Sequence, residues 1–93
     1  SRTQHLIPAK IDPDVIDTIY TALLENRRIK GRYTRRDNDT SEYELNPLGI
    51  VYRESVIYLV ATVWDYDDPR HFALHRFDWA EMLDTPSRRI QGF

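Results

Sequence analysis

The chain contains no cysteine. That excludes disulfide frameworks, thiolate chemistry and cysteine-ligated zinc. A secreted domain of this size usually needs such staples, so their absence favours a reducing compartment, the cytoplasm. Glycine is scarce, and Gly31, Gly49 and Gly92 lie too far apart for a phosphate-cradling loop. No run approaches the roughly 20 apolar residues needed to cross a bilayer. The first ten residues lack the apolar stretch of a signal peptide. Excess charge of one sign is nearly missing: the net charge is −2, so the chain as a whole shows no bias towards nucleic acid. The start is polar and carries no Met, so the sequence reads as a piece excised from a longer protein.

What is present fits one small globular domain. Ninety-three residues suffice for one core and are too few for two. Hydrophobic residues make up 41% and charged residues 30%, which sets the chain apart from disordered and fibrous classes. Six tyrosines supply bulk for a small core.

Charge distribution says more than its sum. Arg27, Arg28, Lys30, Arg32, Arg35 and Arg36 fall within ten residues with no acid between them. The basic residues are almost all Arg, which suits bidentate contact with phosphate or carboxylate. Residue types alone favour a solvated strand face answered by nearby acids. A basic ligand face is the sharper alternative.

Asp12-Pro13-Asp14 opens a helix. Asp12 is a good N-cap and Pro13 suits the first helical position, where its missing N–H costs nothing. Ile16, Ile19, Tyr20, Leu23 and Leu24 recur at three- and four-residue spacing, predicting a helix from about Pro13 to Asn26 with one apolar face. The period then changes to two. Ile29 to Arg36 reads as a strand with a bend or bulge at Gly31. Glu42 to Tyr52 reads as a second strand, kinked, broken or at an edge because of Pro47. Arg53-Glu54-Ser55 reads as a hairpin turn. Val56 to Trp64, covered on both faces, Arg70 to His75 and Phe77 to Leu83 complete a set of five, although the length of the last would also allow a helical turn. The expected fold is mainly β: a small five-stranded antiparallel barrel capped by the N-terminal helix. Residues 1–10 read as a linker, 11–87 as the domain, and 88–93 as a linker leading out.

Catalytic constellations are not apparent. Ser41, Ser55 and Ser87 sit in predicted turns without a partner base. Asp65, Asp67 and Asp68 form an acidic loop of the kind that is usually only solvated. His71 and His75 are four apart on a predicted strand, roughly 13 Å, too far to chelate one metal. No cofactor is expected, and the chain is not expected to be an enzyme. Tyr33, Arg35, Tyr58 and Arg76 stand out, because Tyr and Arg together can stack on a base and grip a phosphate. The plain alternatives are a core position for Tyr58 and an ion pair with Asp78 or Glu81 for Arg76.

The runs Asn46-Pro47-Leu48-Gly49-Ile50-Val51, Ile57-Tyr58-Leu59-Val60-Ala61 and Phe72-Ala73-Leu74-His75-Arg76-Phe77 resemble the WYL domain family, which is named for a Trp-Tyr-Leu triplet. Ala22 to Arg28, Tyr33 and Leu6-Ile7-Pro8-Ala9 extend the resemblance along most of the chain. It implies an Sm-like or SH3-like barrel within a bacterial transcription regulator. A separate helix-turn-helix domain would bind DNA, a C-terminal extension would follow, and the domain would contribute to a homodimer. The implied ligand is a nucleic acid or nucleotide-type anion. Carried over by position, the implied ligand-facing set is Tyr33, Tyr58, Arg70, His75 and Arg76, and the position of Arg35 adds a further charge. Two departures stand out: Ile57 replaces the triplet Trp, which removes a possible stacking ring, and Tyr43 replaces a family Arg. A ligand-free interaction module is the competing expectation, with Tyr20, Trp64 and Trp79 as interface aromatics.

Overall fold

The computed structural model describes residues 10–90. Helix α1 spans Pro13–Glu25. Its start is as read: the Asp12 carboxylate accepts the Asp14 N–H at 2.9 Å, and Pro13 opens the first turn. It ends because Asn26 adopts the left-handed conformation (φ 58°), which lets its N–H reach the Ala22 carbonyl. The buried stripe is Val15, Ile19 and Ala22, flanked by Ile16 and Leu23. Tyr20 and Leu24, expected on that stripe, are 42% and 87% exposed. At 100° per residue, positions 15, 19 and 22 align, and 20 and 24 fall to the side.

Five strands follow: β1 (Arg27–Thr34), β2 (Thr40–Arg53), β3 (Val56–Val63), β4 (Arg70–Ala73) and β5 (Phe77–Pro86). They form one antiparallel sheet in the order β4-β3-β2-β1-β5. β2 and β3 are joined by Glu54 and Ser55, both with positive φ (53° and 65°), the geometry that matches strand twist in a two-residue hairpin.

Two sequence anomalies find their causes here. Pro47 lies in β2 beyond Leu45, the last β2 residue paired to β1, so no bond to β1 is lost, and the ladder to β3 shifts between Pro47 and Gly49. Gly31 is required by packing: a Cβ there would lie 2.9 Å from Phe77 Cε1 and 3.3 Å from the Trp79 carbonyl oxygen.

The strand boundaries differ from expectation, most clearly in the last three strands. The fourth strand stops at Ala73, and Leu74–Arg76 form a single 3-10 turn. The period-two pattern from Arg70 to His75 does not distinguish a strand from a strand running into a tight turn. The fifth strand continues to Pro86 rather than Leu83, and Trp64 lies past the end of β3 with φ of 47°.

The three-residue turn carries the chain from one sheet edge to the other. Such a short link requires strong curling, and the Tyr33 hydroxyl of β1 indeed reaches the Ala73 N–H of β4 at 2.9 Å. Among the described residues no ladder joins β4 to β5, so the sheet is rolled but not closed by hydrogen bonds. The core inside the roll comprises the α1 stripe with Ile29, Tyr33, Leu45, Leu59, Ala61, Val63, Phe72, Leu74 and Phe77. No helix among the described residues is long and apolar enough to cross a membrane.

Asn46 ties the lower half together. It is fully buried, and its amide uses its whole capacity. Oδ1 accepts from Arg28 Nε at 3.1 Å and from the Arg88 N–H at 2.8 Å. Nδ2 donates to Thr62 Oγ1 at 3.2 Å and to the Trp64 carbonyl at 2.8 Å.

Candidate functional site

The curl leaves an open cleft of about 620 Å³ where the β1–β2 turn, the β2–β3 hairpin, β4 and the 3-10 turn converge. Arg35 and Arg36 enter from the first turn and Arg53 and Val56 flank the hairpin. Tyr58 comes from β3, Arg70 to Ala73 from β4, and His75 and Arg76 from the 3-10 turn, with Tyr33 from β1. All six residues singled out as ligand-facing, Tyr33, Arg35, Tyr58, Arg70, His75 and Arg76, line it. So do Arg36, Arg53, Val56 and His71, which were outside that set.

The lining holds five guanidinium groups, two imidazoles and no carboxylate. Their engagements differ. Arg35 Nη2 lies 3.2 Å from Asp37 and 3.6 Å from Asp39, within its own turn. Arg76 Nη1 donates to the Thr34 and Arg35 carbonyls at 3.4 and 3.2 Å, so it braces the turn and does not form the ion pair with Asp78 or Glu81 considered above. Asp78 instead faces Arg32. Arg53 sits 4.6 Å above the Tyr58 ring, and its Nη1 lies 3.4 Å from His71 Nδ1. Arg70 lies 5.3 Å from the centre of the Phe72 ring and 5.8 Å from that of Tyr43. Among the described residues, no carboxylate comes within ion-pair distance of Arg36, Arg53, Arg70 or Arg76. A water-exposed concavity of one charge sign concentrates counter-ions.

The two tyrosines differ in role. Tyr58 is half-buried. It pairs with Val51 and Ala73, on the face opposite Leu59 and Ala61, so it belongs to the cleft rather than the core. Its ring lies 5.9 Å from that of His71. Tyr33 is 8% exposed and packs edge-on against Phe72 and Phe77 at 5.1 and 5.0 Å. Burial pushes its phenol pKa up, and its hydroxyl already accepts the Ala73 N–H. Tyr33 is therefore a wall that positions β4, not a free ring. His75 is half-buried. Burial, then the Arg76 charge, hold its imidazole below the ordinary histidine range, which favours the neutral ring.

The basic run divides in two. Arg27 meets Glu25 and Asp84, Arg28 meets Glu44, Lys30 meets Glu42, and Arg32 meets Glu42 and Asp78. That stretch is the answered strand face. Only Arg35 and Arg36 reach the cleft. Sequence periodicity placed none of the acids opposite, because they arrive from other strands. Arg53 and His71 carried no signal beyond their type, since a hairpin end and a short strand say nothing about what they face. No group of three or more metal-ligating side chains gathers among the described residues.

The WYL domain family matches residues 14–82, most of the chain. The chain belongs to the WYL domain family. Among solved structures, it resembles proteasome accessory factor B/C of Arthrobacter aurescens, at 24% identity and a TM-score of 0.68 over 89% of this chain. It spans 13% of the length of that protein. The likeness is one of fold. No curated protein matches the sequence.

Within this WYL domain the two departures fall off the cleft lining. Ile57 packs on the apolar cluster and Tyr43 packs against Phe72 and Trp64. Replacement of the triplet Trp by Ile57 therefore alters core packing, and the aromatic face inside the cleft is that of Tyr58. Tyr43 lies beneath Arg70, where a guanidinium would add charge beside the cleft. Leu6 to Ala9, the N-terminal end of the resemblance, lie outside the described residues.

Proposed function

We propose that this WYL domain is the ligand-sensing part of a bacterial transcription regulator and binds a nucleic acid or nucleotide-type anion in the arginine-rich cleft. The observation that carries this reading is the lining itself: five Arg, two His and an accessible Tyr ring, with no acid. Phosphates would meet the guanidinium groups of Arg36, Arg70 and Arg76, and a base would stack on Tyr58. Arg35 and His75 would complete the anion site. The rolled sheet holds these groups on one side. Occupancy would bias DNA binding by a separate helix-turn-helix domain in a homodimer, to the extent that the ligand prefers one state of the pair. The chain itself performs no chemistry in this reading.

Fluorescence anisotropy of a labelled oligodeoxythymidylate tests it. For a single strand that neutralises three guanidinium groups, affinity should fall on the order of tenfold between about 50 and 200 mM salt. Arg70→Ala and Arg76→Ala should each weaken binding. Affinity indifferent to salt and to both substitutions would refute the reading.

A ligand-free interaction module is the second reading, favoured by Tyr20 and Trp64, which are 42% and 46% exposed. Trp79, the third candidate, is half-buried on β5. Light scattering on Trp64→Ala, beside the anisotropy assay, separates the two: a dimer lost in Trp64→Ala, in a domain whose native form binds no oligonucleotide, supports the ligand-free module.

A further inference from the structure

Guanidinium groups hold their charge at any physiological pH. This cleft also contains two imidazoles, a side chain whose charge changes near neutral pH. His75 projects from the 3-10 turn beside Arg76. The same cleft is lined by Arg35 and Arg36 from the β1–β2 turn, Arg53 and Tyr58 from the hairpin and β3, and Arg70 and His71 from β4. The Tyr33 phenol closes the floor. No acid lines the cleft: Asp37 and Asp39 of the β1–β2 turn are engaged by Arg35, and Asp78 by Arg32. A protonated ring in that setting meets only like charge. An anion in the cleft reverses the sign of the field and favours the charged ring.

We infer that anion binding in this cleft is coupled to uptake of a proton by His75, so that His75 makes ligand affinity depend on pH. The inference rests on the cleft being an anion site. Burial and Arg76 already hold His75 below its ordinary range in the free domain. Below that free-state value the ring is charged with or without ligand. Above the raised, ligand-bound value it is neutral in both. Between the two, affinity should rise as pH falls, by up to about tenfold per pH unit for one proton. His71 is the other candidate. Its Nδ1 lies 3.4 Å from Arg53 Nη1, and because a guanidinium only donates, this contact uses a ring lone pair. Ligand that draws Arg53 away would free that nitrogen, so the experiment must separate the two rings.

The probe is an unlabelled oligodeoxythymidylate, whose phosphodiesters and bases do not titrate between about pH 5 and 8, so any proton taken up belongs to the protein. Calorimetry of the whole chain near pH 6.5, in two phosphate-free buffers of unlike ionisation enthalpy, reads the number of protons bound. The expected result is a substantial fraction of one proton in the native protein. Protons taken up per oligonucleotide bound should be largely lost in His75→Gln, which binds more weakly, and kept in His71→Gln. Circular dichroism confirms that each variant is folded. Uptake kept in His75→Gln and lost in His71→Gln would overturn the assignment to His75. Binding with no uptake at all would overturn the inference while leaving the anion site standing. No binding across the pH range would overturn both.

Discussion

Replacing Asn46 by Ala should cost more than any single cleft substitution, although Asn46 does not line the cleft. All four hydrogen-bonding positions of its buried amide are used, on Arg28, Thr62, Trp64 and Arg88. Truncation leaves the Arg88 N–H, the Trp64 carbonyl, the Thr62 hydroxyl and Arg28 Nε to find other partners. Arg28 keeps Glu44 and is 17% exposed, so it can turn partly to water, whereas Thr62 is fully buried. Stranding a buried partner costs about 1–3 kcal/mol. With two of the four unrecovered, the loss is about 3–5 kcal/mol. A domain of this size holds roughly 5–10 kcal/mol in total, so the melting temperature should fall by about 15–30 °C. Asn46→Asp keeps the acceptors but removes both donors and aims an anion at the Trp64 carbonyl. Asn46→Asp should therefore also destabilise at neutral pH, by the loss of both donated bonds. Urea and thermal unfolding followed by circular dichroism measure both variants. A loss below about 1 kcal/mol for Asn46→Ala would refute this account of the amide as the tie between β1, β2, β3 and the chain end.

Other consequences follow from the same geometry. Gly31→Ala forces its methyl into the Phe77 ring and should destabilise by about 1–3 kcal/mol in the same unfolding assay, because that ring is itself held by Tyr33. Tyr33→Phe removes the acceptor for the Ala73 N–H and should cost about 1–2 kcal/mol, while oligonucleotide affinity changes much less than in Arg70→Ala. Asp39→Asn loosens the internal hold on Arg35 and should tighten oligonucleotide binding several-fold. That gain should vanish when Arg35→Ala is added, as a double-mutant cycle reads directly. Ligand-free His75 has a folded-state pKa below its unfolded one, so the unfolded chain binds more protons. Stability of the free domain should therefore drop as pH falls from the unfolded value through the folded one, and His75→Gln should remove that component of the melting curve.

Much of the fold is legible because local chemistry and global packing agree along much of the chain. Asp12 and Pro13 fix where α1 begins, and the change from a three-four spacing to a period of two after Arg28 marks the first strand. Agreement fails where the cause is distant. Tyr20 and Leu24 are apolar and suitably spaced, yet the stripe one step round is the one that meets the sheet. Gly31 reads as a bend, but its cause is the Phe77 ring, forty-six residues on. Alternation from Arg70 to His75 hides the turn that swings His75 and Arg76 towards the β1–β2 turn. The cleft itself was half legible. Family position brought Tyr58, Arg70, His75 and Arg76 forward, whereas Arg53 and His71 join only because a tight hairpin and a short edge strand end at the same place. Asn46 carried a motif but no mechanism, since a sequence does not show that four partners converge on one amide.

The central claim is that residues from three separated stretches of the chain form one anion-binding surface. Amide chemical-shift mapping with an oligodeoxythymidylate tests it most directly. The account predicts perturbations gathered at residues 33–36, 53–58 and 70–76, with α1 and the Lys30–Arg32 face quiet. Perturbations centred on α1 or on Lys30 and Arg32, with those three stretches unmoved, would contradict it.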